Sequence, residues 1–222
     1  MYPAGNLSIP APHGRLEAIL KEPRVSPAPR AAALVLHPHP LHGGTMHNKV
    51  VFRAARALND AGLITLRLNF RGVGQSTGTH DYARGEQADA RAGLDYLTQT
   101  YPKLPLLLAG FSFGARVGLE VGANDERVAA LIGIGTPVNM YDFTFLRACR
   151  KPLLLVHGAR DEFGDADKLR ALAAQLPTEA RVQVVIIPEA GHFFDGQLEE
   201  LSRAIREWTD ATLEQLDTGA GR

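Results

Sequence analysis

Three residue types in one order define the chemistry open to this chain: a serine, an aspartate and a histidine, each one loop beyond an apolar run. Gly110-Phe111-Ser112-Phe113-Gly114 reads Gly-x-Ser-x-Gly at the end of an apolar stretch. A serine on so sharp a turn is presented outward in a strained backbone conformation. The flanking glycines leave room where a side chain would collide with neighbouring backbone. A serine hydroxyl is a weak nucleophile until a base removes its proton, and that base needs an acid to orient it. Asp161, after His157-Gly158-Ala159-Arg160, and His192, after Pro188-Glu189-Ala190-Gly191, supply both in the order Ser, Asp, His. Glu162 and Asp165 are nearby alternatives for the acid.

The elements that must hold these residues follow from the apolar pattern. Leu104–Ala109, Pro152–His157 and Val182–Ile187 have the length and composition of buried strands, and each ends just before one of the three residues. Strands also read at Ala32–Leu36, Ile64–Asn69 and Val128–Ile134. Helices read at Asn48–Ala61, Arg84–Thr100, Ala115–Ala123, Asp165–Leu176 and Gly196–Leu216. Alternating strand and helix gives an α/β fold, a mostly parallel sheet covered by helices on both faces. An antiparallel hairpin, Leu7–Pro10 with Leu16–Leu20, leads in, and the Pro-rich stretch Glu22–Arg30 connects it to the first core strand. The reading is one domain over residues 1–222, with 216–222 a frayed tail.

Composition narrows the partners. The 222 residues carry no formal net charge and have a pI near 7.1, which argues against nucleic acid or an anionic membrane as partner. Arginines outnumber lysines 19 to 5, which fits a GC-rich genome better than a thermostability device. Cys149 stands alone before a core strand, as a buried thiol in a reducing cytoplasm would. The opening residues Met1–Gly5 lack the basic start and apolar stretch of a signal peptide, and no run is long enough to span a bilayer.

Five stretches together resemble one family: His37-Pro38-His39-Pro40, Asn69-Phe70-Arg71-Gly72-Val73-Gly74, the serine turn, His157-Gly158-x-x-Asp161 and Gly191-His192. The chain resembles the α/β-hydrolase superfamily from about Leu7 to Trp208. It is most similar to small bacterial serine hydrolases carrying the His-Pro-His-Pro and Asn-Phe-Arg-Gly-x-Gly segments. Dienelactone hydrolases, a neighbouring group, place a cysteine where this chain has Ser112. The resemblance implies Ser112, Asp161 and His192 as catalytic residues, with an oxyanion hole made by the backbone N–H groups of Phe113 and His39. Pro38 and Pro40 stiffen that loop, and Pro40 has no N–H to offer. It further implies hydrolysis of a small-molecule carboxylic ester of short acyl chain through an acyl-enzyme, without cofactor or metal. An amidase, a thioesterase, an acyltransferase or a non-catalytic binding protein of the same fold are the alternatives.

The remaining motifs carry less. His37, His39, His42 and His47 could suggest a metal site, but no cysteine or paired carboxylate accompanies them in sequence. The glycines around Arg71 match neither Gly-x-Gly-x-x-Gly nor a P-loop. Arg71 reads as a cation tying loops together, or as a reader of a substrate carboxylate. Gly135–Lys151 leaves room for little more than one short helix where many relatives insert a cap. Tyr141, Phe143 and Phe145 in that segment, with His42 and Arg71, are the candidate pocket residues. An exposed apolar face on the closing helix would support a homodimer.

Overall fold

Residues 5–23 and 28–219 are described by a computed structural model. Most of Met1–Gly5, the middle of the Glu22–Arg30 connector and the end of the tail lie outside them. Eight strands form one sheet: β1 Gly5–Ala11, β2 Gly14–Lys21, β3 Ala31–Leu36, β4 Leu63–Leu68, β5 Leu106–Phe111, β6 Val128–Ile134, β7 Leu153–Gly158 and β8 Gln183–Ile187, in the order β1-β2-β4-β3-β5-β6-β7-β8. The entry hairpin β1-β2 pairs antiparallel and joins β4 antiparallel. From β4 to β8 every pairing is parallel. The helices are α1 Lys49–Asp60, α2 Arg84–Thr100, α3 Phe113–Asn124, α4 Ala166–Ala173 and α5 Leu198–Gly219.

Strand periodicity builds two apolar layers. On β3, Ala32, Leu34 and Leu36 face the layer holding α2, α3 and α4, while Ala31, Ala33 and Val35 face the layer holding α1 and α5. Both faces are therefore covered, as the unbroken apolar strands require. The chain adds β4 on one side of β3 and then β5 on the other. The strand order thus reverses between β3 and β5, and a crevice opens at the carboxyl ends of those strands.

Several boundaries differ from the sequence reading for local reasons. β5 runs to Phe111 and α3 starts at Phe113, so the turn is the single residue Ser112. β5 begins at Leu106 because Pro105 has no N–H to give the ladder, although its carbonyl accepts from Ala32 N–H at 3.0 Å. α4 stops at Ala173, and the next turn tightens through Gln175 and Leu176 N–H bonds to residues three back, ahead of Pro177. Of the stretch 216–222 expected to fray, α5 takes in the part up to Gly219, and residues 220–222 lie outside the described residues. The large apolar residues Leu201, Ile205, Trp208 and Leu213 of α5 are buried, and among the described residues it carries no exposed large apolar side chain. Among the described residues no helix is long and apolar enough to cross a membrane.

Candidate active site

Ser112 sits at φ 56°, ψ −118°, a backbone conformation that L residues rarely adopt. Close packing enforces it. A Cβ on Gly110 would lie 2.1 Å from the Gly114 carbonyl oxygen, and one on Gly114 would lie 2.5 Å from that of Leu36. The flanking glycines let β5, α3 and the end of β3 meet at one point. Ser112 N–H donates to the Ile134 carbonyl at 2.9 Å, fixing the turn to β6.

The two loops past β7 and β8 converge on this hydroxyl. His192 Nε2 lies 2.9 Å from Ser112 Oγ, and its Nδ1 lies 2.8 Å from Asp161 Oδ2. The other carboxylate oxygen, Oδ1, accepts the Phe163 N–H at 2.9 Å. An ionised carboxylate only accepts, so Nδ1 carries the imidazole proton and Nε2 is left to accept one from the serine. Of the three candidate acids, Asp161 is the one that meets His192. Glu162 is exposed, and Asp165 caps α4 by accepting from Asp167 and Lys168 N–H. His157, fully buried, donates from Nε2 to the Gly164 carbonyl at 2.6 Å and so closes the loop that carries Asp161.

Aromatic rings enclose the histidine. Phe111, Phe163 and Phe193 have ring centroids 4.9, 4.6 and 5.2 Å from His192. A cavity of about 380 Å³ opens over Ser112, and His39, His42, Phe113, Tyr141, Met140, Asn48 and Phe193 are among its walls. Among the described residues no Lys, Arg, Asp or Glu lines it. Phe113 N–H, at the first position of α3, and His39 N–H have no hydrogen-bond partner among the described residues. Both residues line the cavity beside Ser112, where two free donors and a helix N-terminus favour negative charge.

The loop after β3 is held by its own histidines. His37 is buried, faces the Pro38 carbonyl through Nδ1 at 2.6 Å and accepts the Phe70 N–H on Nε2 at 2.9 Å. Burial pushes its pKa down to about 4. His39 accepts the Leu41 N–H on Nδ1 at 3.2 Å, capping the short 3₁₀ turn Pro40–His42. Burial, then the neighbouring His80 and His42, hold the His39 imidazole below its ordinary range, which keeps that cap available. These nitrogens face backbone groups, and among the described residues no group of three or more His, Cys, Asp or Glu could hold a metal ion.

Three pocket expectations are corrected. Arg71 does not reach the cavity: its Nη2 and Nε hydrogen-bond Asp89, fully buried on α2, with Nη2 2.8 Å from Oδ1, and Nη2 lies 3.3 Å from His13. Phe143 is buried in the layer holding α2 and α3. Phe145 stacks on it at 5.8 Å, with the Arg116 guanidinium 6.0 and 4.9 Å from the two rings. Tyr141 and His42 do line the cavity. Asn48, Met140, Phe163 and Phe193 were not foreseen, although Phe163 and Phe193 stand two and one residues after Asp161 and His192.

A family model described as an alpha/beta hydrolase domain matches residues 31–214. The chain belongs to the alpha/beta hydrolase family. The match spans every element that bears a cavity residue. An uncharacterized protein of Rickettsia prowazekii is 40% identical to this alpha/beta hydrolase over 204 residues, 89% of this chain and 85% of its own. A solved structure from Coxiella burnetii, described as an alpha-beta serine hydrolase homologue, is 36% identical with a TM-score of 0.87 over 93% of this chain and 99% of that one. One from Xanthomonas campestris, described as a member of the a/b serine hydrolases without lid, is 34% identical with a TM-score of 0.86 over 94% and 95%. The present hydrolase is likewise without a lid: β6 and β7 are joined by a segment whose one helical turn is the 3₁₀ stretch Thr144–Ala148.

Proposed function

We propose that this alpha/beta hydrolase cleaves small, uncharged carboxylic esters through an acyl-enzyme on Ser112. The observation that carries the reading is the unbroken chain Asp161–His192–Ser112, at 2.8 and 2.9 Å, ending at a cavity with two unpaired backbone donors. Relatives described as serine hydrolases support it. The absence of Lys, Arg, Asp and Glu from the walls favours a neutral substrate, since a charged one would lose hydration without gaining a partner.

His192 Nε2 takes the Ser112 proton as Oγ adds to the ester carbonyl carbon. The carbonyl oxygen becomes an oxyanion facing the Phe113 and His39 N–H groups. As the tetrahedral adduct collapses, the bond to the leaving oxygen breaks and His192 protonates the departing alcohol. Water then repeats the sequence on the acyl-serine and releases the acid. Asp161 holds the imidazole tautomer and stabilises the imidazolium.

The test is a series of p-nitrophenyl esters of increasing acyl length, with wild type and Ser112→Ala in parallel. The variant should lose nearly all turnover, keeping at most the acceleration on the order of 10³–10⁴ over water that oxyanion donors and binding give alone. In wild type each buried methylene should add about 0.8 kcal/mol, close to fourfold in kcat/KM, until the chain outgrows the cavity at roughly two to six carbons. Wild-type-like hydrolysis by a folded Ser112→Ala protein would refute the reading. A jump in rate above the micellar threshold of long-chain esters would replace the esterase with a lipase.

A further inference from the structure

One buried carboxylate lies outside the triad yet close to the site. Glu86, on the first turn of α2, is fully buried. Its Oε2 accepts the Ala83 N–H and its Oε1 the Asp81 N–H, each at 2.9 Å. Between those donors the chain passes through Tyr82 and Ala83 at φ 48° and 73°, so Glu86 pins a left-handed turn that would otherwise relax. His80 Nδ1 also lies 2.8 Å from Oε1, and neither ring nitrogen makes a hydrogen bond among the described residues. The His80 side chain is 6% exposed, which is a costly place for an imidazole unless its ring is used.

Its ring is in contact with the oxyanion loop. The centroids of His80 and His39 are 4.8 Å apart, those of His80 and Phe113 5.6 Å, and those of His39 and Phe113 4.8 Å. The three rings form a triangle, and two of its corners belong to the cavity-lining residues whose backbone N–H groups are free among the described residues. Packing of the three rings restrains the two stretches of backbone that carry the donors. Resting on the esterase reading, we propose that His80, seated by Glu86, is a positioning residue that sets the separation of the two oxyanion donors.

The experiment compares wild type, His80→Ala and His80→Phe as full-length proteins. Ester kinetics are read beside binding of an aryl trifluoromethyl ketone, whose adduct with Ser112 carries the oxyanion. His80→Ala should leave KM within about twofold and lower kcat by about 10- to 100-fold, short of the full loss of one donor. Affinity for the ketone should fall by the same factor. His80→Phe, which keeps the stacked ring, should recover most of both. Should His80→Ala fail to fold, His80→Gln, which removes the ring and keeps a polar side chain, is read the same way. Unchanged ketone affinity in the ring-less variant, or a rise in KM with kcat intact, overturns the inference and leaves the esterase reading standing. A wild-type protein that forms no adduct with the ketone refutes the esterase reading and this inference with it.

Discussion

The two flanks of β5 each bury a histidine bonded at both ring nitrogens, and the two histidines cannot do the same work. On the β3 side, His37 is held between the Pro38 carbonyl and the Phe70 N–H. On the β7–β8 side, His192 is held between the Asp161 carboxylate and the Ser112 hydroxyl. Neither a peptide carbonyl nor a peptide N–H ionises at ordinary pH, so His37 is a neutral strut. A carboxylate stabilises an imidazolium, and a hydroxyl has a proton to give, so His192 can cycle between two states. Residue type and burial are shared. The partners decide the role.

The contrast is sharpest at the acid. Asp161→Asn keeps the shape of the β7 loop but offers Nδ1 an amide that can donate, which favours the wrong tautomer of His192. Turnover of a p-nitrophenyl ester should fall by about 10⁴-fold. Glu162→Gln, an exposed side chain one residue on, should change it little. If the two results were exchanged, the acid role would move to Glu162 and the geometry around His192 would have misled.

The other flank should answer with stability rather than rate. Arg71 and Asp89 hold the loop after β4 to α2, with Asp89 fully buried and Arg71 largely so. Removing the carboxylate in Asp89→Ala leaves a guanidinium without its partner. Unfolding in urea should show a loss of about 3–5 kcal/mol, while KM for neutral esters in the folded fraction stays as in wild type. A selective loss of activity on carboxylate-bearing esters in Arg71→Met, with stability unchanged, would restore Arg71 as a substrate reader.

What could be read beforehand follows the same division between local and distant causes. The placement of Ser112, Asp161 and His192 was legible because each follows its own apolar strand with a glycine within three residues, and the order of the three is a property of the sequence alone. The helix at Arg84–Thr100 was placed to the residue. The start of α3 was put two residues late, because a one-residue turn at Ser112 depends on how tightly β3 packs behind Gly114. The role of Arg71 turns on Asp89, eighteen residues away on another element. Phe143 precedes the short 3₁₀ stretch Thr144–Ala148 and Phe145 lies in it, and so short a turn has no periodicity to tell which face meets the cavity and which meets α3. His80 gave no signal either, since its neighbours His39 and Phe113 come from two other strand ends.

The smallest of the expected effects is the titration of His37. The ordinary histidine pKa is 6.5, and burial lowers that of His37 to about 4 in the folded protein. Above 6.5 the imidazole is neutral in both the folded and the unfolded chain, and its contribution to stability is fully present. As pH falls from 6.5 towards 4 the unfolded chain binds a proton that the folded chain refuses, so stability drops through that window and the contribution is gone below about 4. The full drop amounts to about 3 kcal/mol. Other groups titrate over the same range, so the measurement is a difference. In His37→Gln the amide can still accept from Phe70 N–H and donate to the Pro38 carbonyl but cannot titrate. Urea unfolding of both proteins at pH 7 and pH 4 should show the variant losing less stability by that amount. Parallel losses in the two proteins would mean that His37 takes up its proton in place, and it would then not be a neutral strut.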